Sequence, residues 1–294
     1  MLKFPVHFFY TALAIALTLT ATFPASADEN ILAELTPHQQ TRALALAAID
    51  ASMENPSVDV VKKLWSPDYI QHSPIQPTGV QPILDWVGAM EANGRGGFDY
   101  QLHRLVVEGN HIALHGRAVG FMDKPVVLVN IWRVEDGKLV EHWEGVQPEV
   151  TETASGRSMF DGEQAIRDRD KTQANKALIE EFLDTVIVQG QFDKLGNYFD
   201  GDNYLQHSPM IPDGVSGLTG TLAKLGEQGI TMVYTKVHRV IAEGNLVVTH
   251  SEGTFGGKPM QFFDWFRIED GKIAEHWDVI MDISGGSKND NGIF

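Results

Sequence analysis

Two stretches of the chain decide its fold, because each occurs twice and in the same order. Tyr69-Ile-Gln-His-Ser-Pro74 recurs 135 residues later as Tyr204-Leu-Gln-His-Ser-Pro209. Arg133-Val-Glu-Asp-Gly-Lys-Leu-Val-Glu-His-Trp143 recurs 134 residues later as Arg267-Ile-Glu-Asp-Gly-Lys-Ile-Ala-Glu-His-Trp277. A His-Arg pair and a Glu-Gly-Asn tripeptide also recur between them. Matched blocks in one order indicate a duplicated domain.

Each copy has helix-type sequence first and strand-type sequence afterwards. In the second copy, Ala177, Ile179, Phe182 and Val186 recur at helical spacing. Further on, Glu-Gly-Asn and Glu-Asp-Gly-Lys each separate two runs of strand-forming residues, which is typical of hairpins. The proline of the Gln-His-Ser-Pro block suggests a turn. This order predicts an α+β fold in which helices precede an antiparallel meander.

The repeat also sets the predicted domain boundaries. We expect a first domain over 38–150, a polar linker over 151–169 and a second domain over 170–284. Residues 285–294 are rich in Gly, Ser and Asn, so we expect a flexible tail there.

Residues 1–27 have the pattern of a signal peptide. Lys3 precedes an apolar run over 8–19, and Ala25-Ser26-Ala27 provides the small residues that a signal peptidase accepts. A retained membrane anchor is the rival interpretation, but the run is shorter than the ~20 residues that span a bilayer. We therefore expect a periplasmic or secreted protein.

Charge and composition exclude several classes of partner. The net charge is −16, so neither a nucleic acid nor, after removal of the signal, an anionic membrane surface is an expected partner. The chain has no cysteine, which excludes disulfides and a thiol nucleophile.

The repeated blocks resemble the SnoaL-like polyketide cyclase family of the NTF2-like superfamily. The resemblance is carried by the Tyr-Ile/Leu-Gln-His-Ser-Pro block and by the hairpin over Phe266 to Asp278, and it covers nearly all of both copies. It implies two tandem cones, each a curved antiparallel sheet wrapped around N-terminal helices, with a pocket at the wide end. Such domains pair through their sheets, so an intramolecular pseudo-dimer or a homo-oligomer is expected.

The last strand of the second copy carries the candidate catalytic residues. His276 and Asp278 are two apart and share a face, with Trp277 on the other. If that face and Asp264 of the neighbouring strand look into the cone, burial would raise the pKa of a carboxylate there. We predict Asp278 as the base, supported by His276 and Asp264. In the resembling cyclases, an acidic residue on a late strand is the proposed base.

Further residues are candidates for ligand binding, each with a structural alternative. His72 and His207 stand before a proline and are equally suited to fixing a loop, while His250 lies in an apolar strand, where a core role is the alternative. The remaining candidates are the strand residues Phe266, His142 and Glu144.

The two copies differ at the predicted site. Asn130 stands where the second copy has Asp264, and Glu144 where it has Asp278. Asn cannot act as a base, so we expect the second copy to be the active one. A metal site of histidines and Asp278 is an alternative, although no closely spaced ligand pair supports it. We expect no metal and no organic cofactor.

Three hypotheses for function remain open at this stage. The first is an exported enzyme that uses acid–base chemistry on a small apolar carbonyl compound, as an aldol-type cyclase, isomerase or hydrolase. The second is a non-catalytic protein that binds a hydrophobic small molecule. The third is a scaffold whose sheets mediate assembly.

Overall fold

The strand-forming runs make two five-stranded sheets, one for each copy. The computed structural model describes residues 35–94 and 96–294, and the predicted signal peptide lies outside them. The first sheet contains β1 (Trp65–Gln71), β2 (Asp99–Glu108), β3 (His111–Val119), β4 (Val126–Glu135) and β5 (Lys138–Pro148). The second contains β6 (Leu205–Gln206), β7 (Met232–Glu243), β8 (Leu246–Phe255), β9 (Lys258–Glu269) and β10 (Lys272–Asp282).

Both sheets have the same order, with the first strand of each copy beside the last. The orders are β1-β5-β4-β3-β2 and β6-β10-β9-β8-β7. The predicted antiparallel meander is present in β2–β5 and β7–β10. The sheets are nevertheless mixed, because β1 and β6 run parallel to β5 and β10. The block expected to form a turn therefore begins as a strand, in which Gln71 pairs with His142.

Helices cover one side of each sheet. The structure has α1 (Pro37–Ile49), α2 (Val58–Leu64), α3 (Gln81–Ala92), α4 (Thr172–Phe182) and α5 (Gly214–Glu227). The first and fourth continue into π-helical turns at Asp50–Glu54 and Leu183–Val188. Thr36 and Gln39 form a capping box at the start of α1, which satisfies backbone N–H groups there.

Helices α3 and α5 are not among the sequence predictions. In α3, Ile83 and Val87 are buried one helical turn apart, and Pro82 lies in the first turn, where proline is favourable. In α5, several glycines lower the helix propensity. Proline and glycine near these positions had indicated a turn, whereas the apolar spacing indicates a helix.

The outer faces of the two sheets pack against each other within one chain. Their shared apolar core includes Val129 and Trp143 from the first sheet and Trp265 and Trp277 from the second. Gly145 allows a close approach of the two sheets, because an added Cβ there would lie 2.5 Å from Cδ2 of Phe263. The copies thus form the arrangement of a dimer within a single chain.

Two tryptophans anchor this packing in a reciprocal way. Trp143 lies between the ring of His72 from its own copy, 4.9 Å away, and the guanidinium of Arg239 from the other, 3.5 Å away. Trp277 lies in the same way between His207 at 4.8 Å and Arg104 at 3.7 Å. The repeated His-Arg and Glu-His-Trp blocks are therefore two halves of one interface.

The repeated Glu-Gly-Asn hairpins also bind across the copies. Glu243 accepts hydrogen bonds from the backbone N–H of Val107 at 2.8 Å and from Arg42 at 2.7 Å. Glu108 accepts from the backbone N–H of Ala242 and from Lys176, both at 2.9 Å. Each glutamate thus holds the other copy's hairpin.

Two equivalent segments cross between the copies. We call residues 151–160 the first arm and residues 285–294 the second arm. Ala154 donates its N–H to Pro209 O in the second copy, and Lys288 donates its N–H to Pro74 O in the first, both at 2.9 Å. The carbonyl oxygens of Ser158 and Gly292 accept hydrogen bonds from Nδ1 of His207 and of His72, respectively.

Each arm ends with an aromatic ring packed on its own copy. Phe160 stacks on His103 at 5.0 Å, and Phe294 stacks on His238 at 4.5 Å. The second arm, which was expected to be flexible, is therefore hydrogen-bonded along its length. Its asparagines supply these hydrogen bonds, and a composition poor in apolar residues gave no sign of them.

Within residues 35–94 and 96–294, no helix combines the length and apolar character needed to cross a membrane.

We expect Arg104 and Arg239, which stack on the two interface tryptophans, to contribute unequally to the stability of the fold. Arg104 is 1% exposed and donates to the carbonyls of Phe160, Asp161 and Glu163. We expect Arg104→Met to lower the free energy of unfolding by about 3–5 kcal/mol, because it leaves buried carbonyls unpaired. Arg239→Met loses mainly its ring contact and is expected to cost about 1–2 kcal/mol. Equal losses in urea denaturation would contradict this difference.

Candidate active site

The alternation of the last strand sends its histidine and its acid to the inside of each cone. In the first copy, His142 and Glu144 lie on the face opposite Trp143, and Asn130 pairs with Glu144 across β4 and β5. In the second copy, Asp264 pairs with Asp278 in the same register. All are buried, with at most 7% of any of these residues exposed. The predicted alternation is therefore present: the histidine and the acid of each last strand face into the cone, and the tryptophan between them faces away.

The first copy contains a cavity of about 490 Å³ in front of these residues. Trp86 and Met122, which are 38% and 44% exposed, lie at its wall, so the cavity reaches solvent on that side. A volume of this size is within the range of small-molecule sites. Aromatic side chains form much of the lining: Trp65, Tyr69, Trp86, Phe98, Phe121 and Trp132.

The carboxyl group of Glu144 belongs to the polar part of this lining. Ser73 Oγ donates to Glu144 Oε2 at 2.6 Å, and Gln76 Nε2 donates to the same oxygen at 3.4 Å. No described residue bonds Oε1. Burial raises the pKa of Glu144, and the two hydrogen bonds oppose that rise only in part.

His142 connects the loop of the first copy to the cavity. Ser73 N–H donates to Gln71 Oε1 at 2.8 Å, which makes that oxygen the acceptor for His142 Nδ1 at 2.9 Å. Nε2 of His142 lies 2.9 Å from the side-chain amide of Asn130. Burial lowers the pKa of His142 to about 3, so the ring is neutral. The remaining end of the Asn130 amide is buried and has no partner among the described residues.

The second copy has the same network with an acid in place of Asn130. Ser208 N–H fixes Gln206 Oε1 at 2.9 Å, and His276 Nδ1 donates to that oxygen, also at 2.9 Å. Nε2 of His276 lies 3.2 Å from Asp264 Oδ1, which also accepts from Tyr234 Oη at 3.1 Å. One proton must lie between the imidazole nitrogen and the carboxyl oxygen for that contact to be favourable.

Asp278 is the least satisfied acid of the second copy. Among the described residues, no well-formed hydrogen bond reaches its buried Oδ1, and the nearby Ser208 hydroxyl makes only a weak contact that lowers the pKa of Asp278. The equivalent serine and glutamate of the first copy are bonded to each other, because glutamate is one methylene longer. Burial, together with the charge of Asp264, raises the pKa of Asp278 to about 6.

Other predicted ligand residues lie away from the cones. His72 and His207 face the interface between the sheets, where each also bonds a glutamate, Glu141 and Glu275, at 2.8 Å. His250 stacks on Phe263 in the same interface, 4.2 Å away. These contacts favour a structural role for the three histidines. Neither the imidazole rings nor their partners line the cavity of the first copy.

Phe266 is inside the second cone. Its ring lies 5.0 Å from that of His276 and 6.0 Å from that of Phe182 in the apolar core. Phe266 therefore lies inside the second cone, as His142 and Glu144 lie inside the first.

Several residues of the site were not among the predictions. Gln71, Ser73, Gln76 and Lys288 bond or line the first site. The repeat contained a signal for two of them, since Gln71 and Ser73 flank His72 and alternation sends them to the opposite side from its ring. Lys288 comes from the end of the second copy. Its place in the first site could not be predicted without knowing that the arms cross between the copies.

Among the residues that the structure describes, no cluster of three or more His, Asp or Glu side chains is arranged to hold a metal ion.

Comparisons with solved structures find likenesses to single copies. A protein from Jannaschia sp. CCS1, named for its likeness to SnoaL-like polyketide cyclases, is 16% identical over 38% of this chain and 89% of its own, with a TM-score of 0.33. An NTF-2 like protein of unknown function from Burkholderia xenovorans LB400 is 18% identical over 43% and 97%, with a TM-score of 0.34. An LEH-like epoxide hydrolase of M. tuberculosis is 15% identical over 38% and 86%, with a TM-score of 0.32.

No curated protein matches the chain. The model of the SnoaL-like domain matches twice, over residues 45–142 and 179–276, which together are more than half of the sequence. With both matches centred on the repeated blocks that form the two cones, the protein belongs to the SnoaL-like domain family, as a tandem pair of such domains.

Proposed function

We propose that the chain is an acid–base enzyme for a small, largely apolar carbonyl compound, and that the first copy's cavity holds this substrate. One observation carries the proposal: the buried Glu144 carboxyl, with its pKa raised, lies in the wall of an aromatic cavity that reaches solvent. A raised pKa makes a carboxylate a stronger base, and burial excludes competing water.

The geometry supports proton transfer next to a carbonyl group. Glu144 takes a proton from the carbon beside the carbonyl, and the electron pair of that C–H bond moves to the carbonyl oxygen as an enolate. The proton then returns at another carbon in an isomerisation. In an aldol-type closure, the enolate carbon attacks a second carbonyl and the alkoxide that forms takes the proton back from Glu144. The unpartnered end of the Asn130 amide is available to a polar group of the substrate.

Asp278, with His276 and Asp264 in support, is the alternative centre, and it lies in the second copy, which the sequence analysis expected to be the active one. The pKa of Asp278, about 6, and its weakly bonded oxygen support a role in proton transfer at neutral pH. The His276–Asp264 contact holds a proton within the same cone. These three residues are the ones that the sequence analysis predicted as catalytic. Substituting the acid of one copy at a time shows which copy is the catalytic centre.

The second candidate function is non-catalytic binding of a hydrophobic small molecule. The lining of the first cavity favours it, because aromatic and aliphatic side chains together outnumber the polar ones there. Turnover distinguishes it from the enzyme hypothesis, since both predict occupancy of the same space.

Matched variants of the two acids test which copy performs chemistry. On a panel of small ketones and epoxides, we expect Glu144→Gln to lower kcat/KM about 100-fold or more, because a general base contributes ~10²–10⁴. Asp278→Asn is expected to change kcat/KM less than about threefold on the same substrate if the first copy is the centre.

The opposite pattern, in which only Asp278→Asn is inactive, would assign the chemistry to the second copy. Equal activity of wild type and both variants would remove both acids from the mechanism. Binding without turnover by the wild-type protein would support the second candidate function.

The burial of Asp278 predicts a pH-dependent change in stability. Its pKa is about 6 in the folded protein against an ordinary value of 3.8 for an aspartate, so ionisation favours the unfolded chain increasingly as the pH rises between those values. Relative to wild type, Asp278→Asn should therefore gain up to about 3 kcal/mol of unfolding free energy between pH 4 and pH 7. Asp193→Asn, at an exposed carboxylate, is the control. A pH-independent difference would exclude the raised pKa.

We also propose that the protein is exported to the periplasm or beyond, as the pattern of residues 1–27 supports. N-terminal sequencing of protein expressed with its full leader should begin at Asp28. A chain that still begins at Met1 would contradict cleavage.

A further inference from the structure

The cavity of the first copy contains a cation that comes from the other end of the chain. Lys288 of the second arm is part of the cavity lining, together with Glu144 and Asn130. Among the described lining residues, it carries the only ammonium or guanidinium group. No described residue forms an ion pair with it, although the protein as a whole carries a net charge of −16.

The second arm is fixed where Lys288 meets the cavity. Lys288 donates its backbone N–H to Pro74 O at 2.9 Å. The next residue, Asn289, is 7% exposed and donates from Nδ2 to the carbonyls of Ser73 at 2.9 Å and Gln76 at 3.1 Å. The position of Lys288 is thus set by bonds on both sides of its Cα.

The same bonds connect the second arm to the acid of the site. Ser73 and Gln76, whose carbonyls receive Asn289, are the residues whose side chains donate to Glu144. Asn291 adds bonds to Gln71 O at 2.9 Å and Thr78 Oγ1 at 2.6 Å. The arm therefore supports the loop that positions Glu144, and it brings a positive charge to the same cavity.

The second copy provides an internal comparison. There the first arm contacts the equivalent loop. Ala154 donates its backbone N–H to Pro209 O, as Lys288 does to Pro74 O in the first copy. Alanine contributes no charge, so the two sites differ in electrostatics as well as in their acids.

We propose that Lys288 determines ligand specificity by pairing with an anionic group, so that the first cavity takes an apolar molecule bearing a carboxylate. This inference rests on the proposed function, since it assumes that the cavity is the ligand site. The aromatic lining accommodates the apolar body. Lys288 is exposed, so its ammonium contributes about threefold to fivefold in affinity for an anion.

A matched pair of probes tests the proposal. 4-Phenylbutyrate and 4-phenylbutanamide have nearly the same shape and differ in charge. Trp65, Trp86 and Trp132 line the cavity, so quenching of tryptophan fluorescence reports binding there. Wild type should bind the carboxylate about threefold to fivefold more tightly than the amide.

Three variants assign this preference to the residue. Lys288→Met should reduce it to less than about twofold while leaving amide affinity unchanged, and Lys288→Arg should retain it. Lys224→Met removes the same charge from α5 of the second copy and should have no effect. Thermal denaturation of each variant confirms that it is folded.

The outcomes separate the two proposals. If the amide binds but wild type shows no preference, or if Lys288→Met keeps the preference, the role of Lys288 is overturned and the cavity remains the ligand site. If neither probe binds, both the specificity proposal and the assignment of the cavity as the ligand site are overturned.

Discussion

The structure depends on the stacking of each interface tryptophan between a histidine of its own copy and an arginine of the other. Trp143 and Trp277 come directly after the histidines that enter the cones. Because side chains alternate along a strand, fixing the tryptophan at the interface fixes the histidine and the acid inside. The packing of the two sheets and the aim of the site are therefore one constraint, and a one-residue slip would disrupt both.

Much of the architecture could be predicted from the sequence because the repeat compares the chain with itself. The Asp-Gly and Glu-Gly-Asn turns located the hairpins, and alternation put Glu144, His142 and Phe266 inside. The parallel strand β1 could not be found in this way, since its partner β5 is distant in sequence and no turn joins them. Helix α5 was hidden by its glycines, whose low helix propensity is overridden by tertiary packing.

The site itself was predictable only where strand alternation controls it. The histidines at 72, 207 and 250 have chemistry suited to catalysis, but each is used for stacking at the interface. The open cavity of the first cone depends on the packing of α3 and of residues 121–122, and residue identity alone does not reveal that space. The contribution of Lys288 is a long-range effect of chain crossing, for which local patterns carry no information.

The duplicated copies have kept a common frame and changed its contents. The Gln-His-Ser loop, the network of Gln, His and a polar partner, and the reciprocal glutamates are the same on both sides. Asn130 against Asp264 and Glu144 against Asp278 alter the charge and reach of the groups inside. Duplication within one chain permits such divergence, whereas a dimer of identical subunits would have to change both sites together.

The crossing arms have a consequence for how the chain can be divided. Each half carries, at its end, the strip that fastens the loop of the other half, so a cut after the first arm would give two fragments that complete each other. Alone, a half would expose a broad apolar sheet and would lack the carbonyl that caps its loop histidine. The natural cooperative folding unit is therefore the pair, and separately produced halves are suited to reassembly by fragment complementation rather than to independent use.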